Sequence, residues 1–273
     1  ALGRLRNRAL NLLSQKVLLR QSQNVANYLL DHMNSRPLPT FILDSGLLAD
    51  RYISPTVPEF DYPRSDLPAH VRYVGAVHPA PSEGCRPPPW WAELDGDRPV
   101  VHVTQGTIDN ADLSRLVEPT IDALGGEEVI VVATTGGRDV SQLKVPLPMN
   151  TYVAEYIPHD VLLPKVDVMV TNCGYGAVQR ALSMGVPLVV AGNTEDKPEV
   201  AARVAWTGAG INLRTGTPTP GTVRGAVRKV LNDGRYLGAA RKLEAAFARL
   251  DGVAEIAALV DEVIGEHSKA AQR

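Results

Sequence analysis

With 273 residues, 44% of them hydrophobic, and a formal net charge of −2, the chain is long enough for one α/β domain and part of another, and it can bury a sizeable core. The near-neutral balance excludes a general nucleic-acid binder, which needs a basic face to displace counterions, and no apolar run approaches the length of a membrane span. Two cysteines, Cys85 and Cys173, suit a reducing cytoplasm rather than a disulfide framework, and the six scattered histidines show no C-x-x-C or H-E-x-x-H spacing, so no metal site is expected.

The first 35 residues carry Arg4, Arg6, Arg8, Lys16 and Arg20 with no acid before Asp31, and Leu5, Leu12, Leu13, Leu19 and Leu29 recur at roughly helical spacing. A basic amphipathic helix of this kind suits a membrane surface or an organelle-targeting segment. The reading preferred here is a helix packed on a domain with its basic face in water. Residues 36–98 are rich in proline ("RPLPT", "SPTVPEFDYPRSDLP", "HPAPSEGCRPPPWW") and predict short strands and a connector, with "VRYVGAV" (71–77) as one strand.

Beyond residue 98 strands and helices alternate. Residues 98–106 predict a buried strand, and 110–126 a helix with Asn110 as N-cap and Gly125 as its stop. Strands follow at 128–137 and 151–157, a short helix over "HDVLLPKV", and a strand at 167–171. The turn "NCGYGA" leads into a helix reaching Met184; then come a strand at 187–192, the loop "NTEDKPE", the helix "VAARVAWTG", a short strand "GINL" and two or three terminal helices. Strands that are continuously apolar, each followed by a helix, predict a doubly wound parallel α/β sheet covered on both faces.

In such sheets ligands bind beyond the carboxyl ends of the strands, which directs attention to "TQGTIDN", "TTGGR", "YIPHD", "NCGYGA" and "GNTEDK". In "NCGYGA", Gly174 and Gly176 precede a helix, so bare backbone N–H groups meet the positive end of a helix dipole, as a phosphate or carboxylate requires. By itself this turn reads equally as a tight strand-to-helix connection. It lacks the third glycine of a dinucleotide fingerprint and is no Walker loop. The "TQGT" turn adds a glycine and two hydroxyls suited to the same anion, and "EDK" adds carboxylates suited to sugar hydroxyls. Anion donors on one side and carboxylates on the other point to a sugar attached to a nucleoside diphosphate.

The segment "YIPHDVLLPKVDVMVTNCGYGAVQRALSMGVPLVVAGNTEDKPEVAARV" resembles the donor-binding signature of GT-B glycosyltransferases of the UDP-glycosyltransferase superfamily, most of all the actinobacterial branch acting on macrolides and other natural products. The W-x-P-Q opening of that signature stands here as Tyr156-Ile157-Pro158-His159, its G-V-P is Gly185 to Pro187, and its closing D-Q is Asp196-Lys197. "PPWWAELDGDRPVVHVTQGT" is similar to the linker and first strand of the C-terminal domain of these enzymes, and the likeness spans roughly 55 to 265.

The resemblance implies a Rossmann-like C-terminal half of a GT-B fold, preceded by a helical and proline-rich remnant of an N-terminal acceptor domain. The implied divisions are 1–70 for that remnant, 71–98 for the linker, 99–250 for the donor domain and 251–273 for a terminal helix. It implies Tyr156 near the base, the Ile157 backbone reading the base edge, and His159 in the same nucleotide-binding set. Gly106, Thr107 and the amides around Gly174, Gly176 and Ala177 would approach the diphosphate, and Asp196 and Lys197 would hold the donor sugar.

Two positions depart from the family pattern. Asn172 stands where a diphosphate-contacting His is usual; it still donates a hydrogen bond but brings no charge. Arg180 stands where a ribose-binding Glu is frequent, and it cannot accept at all. These departures put the identity of the donor in question, not the site. The expected activity is inverting transfer of a sugar from a UDP- or dTDP-sugar to a hydroxyl of a small-molecule acceptor, with no further cofactor. The catalytic base is unassigned and is expected in N-terminal sequence preceding Ala1. Alternatives are a non-catalytic nucleotide-sugar binding module, or donor subunit, and a GT-B epimerase, the last disfavoured because its chemistry wants more acids in the cleft. A homodimer is left open.

Overall fold

The structure, a computed structural model, describes residues 2–79, 82 and 84–271. Ala80, Pro81 and Glu83 of the expected linker, and Gln272 and Arg273 of the expected terminal helix, lie outside the described residues. Two units are distinguished, one of 1–53, 66–72 and 261–273, the other of 54–65 and 73–260.

In the first unit, helix α1 (Leu2–Leu13) passes through a π-helical segment, Ser14–Leu18, into helix α2 (Arg20–His32). Of the apolar stripe, Leu5, Leu12, Leu13 and Leu29 are exposed and Leu19 is half-buried. The two short strands β1 (Tyr52–Ser54) and β2 (Val71–Tyr73) pair as a two-stranded sheet, and β2 is shorter than the strand expected over 71–77.

The second unit carries a six-stranded parallel sheet. Its strands are β3 (Val100–Thr104), β4 (Ile130–Thr134), β5 (Thr151–Ala154), β6 (Val168–Thr171), β7 (Leu188–Val190) and β8 (Gly210–Asn212). In space they run β5-β4-β3-β6-β7-β8. Its helices are α3 (Val117–Leu124), α4 (His159–Leu162), α5 (Tyr175–Ser183), α6 (Lys197–Thr207), α7 (Pro220–Asn232) and α8 (Gly234–Phe247), and helix α9 (Gly252–Ala271) begins in it, its residues from 261 onward being counted with the first unit.

The double winding follows from the two-residue period of the strands. Along β4, Ile130 and Val132 face one core while Val131 and Ala133 face the other; β7 divides the same way, with Leu188 and Val190 against Val189. The first core is closed by Val178, Ala181 and Leu182 of α5, Val200 and Val204 of α6, and Leu243 and Phe247 of α8. The second is closed by Val117, Ile121 and Leu124 of α3 and Val223, Val227 and Val230 of α7. Because both faces are covered, the strands read as unbroken apolar runs.

Three local expectations are corrected. Asn110 is not a helix N-cap: α3 begins at Val117, after a short 3-10 turn over Leu113–Arg115 capped by Asp112. The Asn110 side chain is instead buried between two turns. Helix α6 starts inside the expected "NTEDKPE" loop, because Pro198 takes one of its first positions, where its missing N–H and fixed φ cost nothing. Strand β5 also stops at Ala154, short of the expected 157.

Candidate functional site

The spatial order of the sheet reverses between β3 and β6, which pair in parallel with Val101 opposite Val168 and Thr104 opposite Thr171. At such a switch point the turns leaving neighbouring strands diverge to opposite faces and leave a crevice. A cleft of about 550 Å3 lies there, within the second unit and in the size range of a small-ligand site. Every site residue expected from the sequence lines it.

The turns after β3 and β4 form one wall, held together by Asn110. Its carboxamide nitrogen lies 2.9 Å from the carbonyl oxygen of Gly106, 2.9 Å from that of Thr135 and 3.0 Å from that of Gly136, while its Oδ1 accepts from Arg138 Nε at 3.0 Å. Gly136 has φ +70°, and a Cβ there would run into the Gly106 carbonyl oxygen. Only glycine permits both the left-handed backbone and the contact. Behind this wall Gln105, 2% exposed, accepts from the N–H groups of Leu116 and Val117 and donates to the Asp112 carbonyl at 2.9 Å. The "TQGT" turn is therefore anchored to the start of α3.

The opposite wall is the turn after β6. Cys173 sits at φ +68°, an uncommon conformation for a residue with a Cβ, and turns the chain sharply from β6 into α5. Gly174 is the N-cap and gives no side-chain cap. The first helical bond of α5 is Val178 N–H to the Gly174 carbonyl, which leaves the N–H groups of Tyr175, Gly176 and Ala177 without intrahelical acceptors. A Cβ on Gly174 would touch nothing closer than Asn172 Oδ1 at 3.8 Å, and one on Gly176 would meet nothing. These glycines leave open space in front of unsatisfied amides, the arrangement an anion fits.

Asn172 itself is 7% exposed, and its carboxamide donates to the Gln105 carbonyl at 2.7 Å and to the Asp109 carbonyl at 3.4 Å. Its hydrogens tie the ends of β6 and β3 together rather than pointing to open space.

At the end of the cleft after β5, Ile157 is buried while Tyr156 is 62% exposed, its ring free for a planar partner. His159, the first residue of α4, meets the edge of buried His102 with ring centroids 5.6 Å apart. Burial, and then the nearby Arg180 charge, push the His159 pKa down to about 4, so the ring is neutral near pH 7. His102, fully buried in β3, is pushed down to about 3 chiefly by burial; its Nδ1 lies 2.9 Å from the Val132 carbonyl and its Nε2 has no partner. His78 reaches the cleft from the proline-rich connector. The Ser183 hydroxyl donates to the Arg180 carbonyl at 2.9 Å, so at 2.9 Å from that hydroxyl oxygen His78 Nε2 is the donor. Asp160 accepts from the N–H of Ser82 at 2.7 Å and from its hydroxyl at 3.0 Å.

At the other end lies the turn after β7. Gly192 packs so closely on the Asn172 carbonyl that no Cβ fits. Asp196 is the N-cap of α6 but makes no side-chain cap bond. Lys197 is 3% exposed and reaches Asp109 Oδ2 at 3.3 Å, Thr194 Oγ1 at 3.2 Å and the Glu195 carboxylate. Asp109 in turn accepts from Arg115 at 2.8 Å and from the Thr194 hydroxyl at 3.2 Å. These cations and donors outweigh burial and hold its carboxyl below the ordinary range.

Asp109 is the site residue that sequence reasoning passed over. It lies inside the "TQGTIDN" turn, but no motif spacing marks it, and its partner Thr194 lies 85 residues away in the chain. Among the described residues no group of three or more His, Cys, Asp or Glu is placed to hold a metal ion, and no helix is long and apolar enough to cross a membrane.

The chain is similar to known proteins over most of its length. Residues 118–263 match the family described as erythromycin biosynthesis protein CIII-like, C-terminal domain. The chain is 46% identical over 265 residues to a 4'-demethylrebeccamycin synthase of Lentzea aerocolonigenes, covering 96% of this chain and 62% of that protein. It is 38% identical over 268 residues to UDP-glycosyltransferase 2 of Phaeomoniella chlamydospora, covering 96% and 59%. The crystal structure of the glycotransferase of kitacinnamycin superposes with a TM-score of 0.73 at 22% identity, over 94% of this chain and 65% of that one; at that identity the likeness is one of fold. The chain thus spans about three-fifths of the length of these two relatives.

Proposed function

The chain belongs to the family of erythromycin biosynthesis protein CIII-like C-terminal domains, and from that premise we propose that its cleft binds a nucleoside-diphosphate sugar, a UDP- or dTDP-sugar, for glycosyl transfer. The observation that carries this reading is the placing of unsatisfied amides at the N-terminus of α5 between an exposed aromatic and a set of carboxylates, all at the switch point of the sheet. A diphosphate suits the amides of Tyr175, Gly176 and Ala177 and the facing Gly106–Thr107 turn. The nucleoside suits the end holding Tyr156, Ile157, His159 and Arg180; the sugar suits the end holding Asp196. The relative from Phaeomoniella chlamydospora is by name a UDP-glycosyltransferase, which supports this reading.

In the transfer itself, the oxygen of an acceptor hydroxyl attacks the anomeric carbon from the face opposite the diphosphate. The bond from that carbon to the diphosphate oxygen breaks, and its electron pair leaves with the phosphate. Configuration inverts, and the acceptor proton goes to a general base. The role of this cleft is to hold the leaving group: charge that develops on the diphosphate meets amides already oriented toward it, with no reorganisation needed. The acceptor, taken to be a small molecule, and the base are contributed from outside the residues described in the cleft.

Titration calorimetry with UDP and dTDP, followed by assay of donor hydrolysis, tests the proposal. Binding of one nucleoside diphosphate, together with slow release of free sugar from its glycosyl ester, is expected. Binding with no release, even in the presence of the acceptor-side sequence of a relative, favours a non-catalytic donor module. Absence of binding overturns the proposal.

A further inference from the structure

Lys197 invites a simple reading. A lysine at the sugar end of a donor cleft is a natural receptor for a carboxylate, so the chain would be expected to take a uronic-acid donor. The geometry argues against it. An ammonium group has three N–H donors and no acceptor. Those of Lys197 have three acceptors within the protein: Asp109 Oδ2 at 3.3 Å, Thr194 Oγ1 at 3.2 Å and the Glu195 carboxylate. The side chain is 4% exposed, so it is enclosed as well as saturated.

Asp109 is the hub of this arrangement. One of its oxygens accepts from Arg115 at 2.8 Å, and the other takes the Thr194 hydroxyl at 3.2 Å as well as Lys197. Through these contacts a residue of the turn after β3 fixes the turn after β7, across the switch point. Glu195, at φ +54°, is held in a left-handed conformation that such a clamp can sustain. Glu195, Asp196 and Lys197 all line the cleft, but Glu195 is paired with Lys197, whereas the Asp196 carboxylate makes no cap bond to its own helix. The three carboxylates Asp109, Glu195 and Asp196 outnumber the two cations Lys197 and Arg115, so this end of the cleft is net negative.

Resting on the nucleotide-sugar reading of the cleft, we propose that Lys197 is a positioning residue and not a sugar contact, that Asp109 holds it in place, and that the subsite so formed takes donors whose sugar is neutral or cationic and rejects uronic-acid donors. Hydroxyl or ammonium groups of the sugar donate to Asp196. A sugar carboxylate meets like charge there and finds no N–H of Lys197 left to receive it.

The test is titration calorimetry of this chain with UDP, UDP-glucose and UDP-glucuronate, or with the dTDP counterparts if dTDP is the nucleotide bound. Wild-type protein is expected to prefer the glucose ester over the glucuronate by about 10-fold or more. Asp109→Asn removes one negative charge and frees the Lys197 ammonium from its ion pair, so the preference, referred to the affinity for the bare nucleotide, should shrink by about 10-fold. Lys197→Met, which removes an ammonium already engaged by the protein rather than a sugar contact, should leave the preference as it is in wild type. The ratio of the two sugars, referred to the bare nucleotide, does not move if these residues merely stabilise the fold. A variant that fails to fold loses the bare nucleotide too, and the wild-type ratio then decides. Equal or tighter binding of glucuronate by wild type overturns the proposal, as does selective loss of glucuronate binding in Lys197→Met. Failure of both bare nucleotides to bind is a different result: it removes the nucleotide-sugar reading, and this inference with it.

Discussion

The two walls of the cleft are built in opposite ways. On the β3–β4 wall the polar side chains are engaged with the protein itself: Asn110 makes three donor contacts to turn carbonyls, Gln105 anchors the start of α3, and Asp109 holds Arg115, Thr194 and Lys197. On the β6–α5 wall the backbone is left unengaged at Tyr175, Gly176 and Ala177, and the glycines there touch almost nothing. One wall is a brace and the other is a receptor. Similar turns of glycine and small polar residues thus have opposite sensitivities: the brace should respond to mutation in stability, the receptor in affinity.

The largest effect is expected from Gly136→Val. It forces a branched residue to φ +70° and into the Gly106 carbonyl, which combines backbone strain with a steric clash. A loss of about 4 kcal/mol of unfolding free energy, read by chemical denaturation, is expected. A loss below about 1 kcal/mol would show that the two turns separate easily and that this wall is no brace. Gly174→Val is the counterpart on the other wall. Gly174 has φ −60°, and its Cβ would find only an ordinary contact at 3.8 Å. Stability should hold within about 0.5 kcal/mol, while the branched methyls fill the space in front of the amides. Affinity for the nucleoside diphosphate should fall about 100-fold, roughly 2.7 kcal/mol. Unchanged affinity would place the anion elsewhere.

Asn110→Ala sharpens the same contrast with a smaller change. It leaves one buried and two half-buried carbonyls and the Arg138 guanidinium short of their partner, and a loss of about 2 kcal/mol is expected from the unsatisfied groups. Denaturation curves check it, and a melting temperature equal to wild type would break the assignment of Asn110 as the stitch. His102 gives the brace a pH signature. Its folded pKa, near 3, lies below the ordinary value of 6.5, so the unfolded chain binds the proton more readily. Stability therefore rises with pH across the interval between those values and is fully present above 6.5. Lowering the pH from 6.5 to 5 should remove roughly 2 kcal/mol through this residue, and His102→Leu should flatten that portion of the curve. Parallel curves for the two proteins would refute the linkage.

This contrast also sets what was legible in the sequence. The four inner strands β3, β4, β6 and β7 are visible as apolar runs, because burial on both faces removes the polar alternation that would otherwise mark them, whereas the edge strands β5 and β8 are only partly buried. The turns after the strands are visible because glycines and hydroxyl residues cluster there. The resemblance to the donor half of GT-B glycosyltransferases is borne out by the family match and by the fold. The direction of a side chain was not legible. Asn110 looks like a helix cap in sequence because the residues after it are helix-forming; only the packed turns show that its amide has three carbonyls to satisfy. Asn172 and Lys197 stand at positions where donor contacts were expected, yet their hydrogens are directed into the protein. Asp109 was missed for the same reason: its partners come from another turn, and a one-dimensional pattern does not register a clamp between turns 85 residues apart. Receptor features made of backbone are encoded by the absence of side chains and read easily; brace features depend on distant partners and do not.

Arg180 tests the boundary between the two kinds of wall. It lies on α5, one turn beyond the open amides, and its charge reaches His78 and His159 at the nucleoside end. If that end belongs to the receptor, reversing the charge should change which nucleoside is preferred and leave the fold alone. Arg180→Glu supplies an acceptor for a ribose diol, which an arginine cannot provide. The expected result is a shift in the ranking of UDP, dTDP and GDP toward the ribonucleotides by several-fold, with stability within about 0.5 kcal/mol of wild type. The variant should also let the pKa values of His78 and His159 rise, since the Arg180 charge contributes to holding both down, and histidine titration by NMR reads this separately from binding. An unchanged nucleotide ranking together with raised histidine pKa values would assign Arg180 to the electrostatics of the brace and remove it from the nucleoside contact.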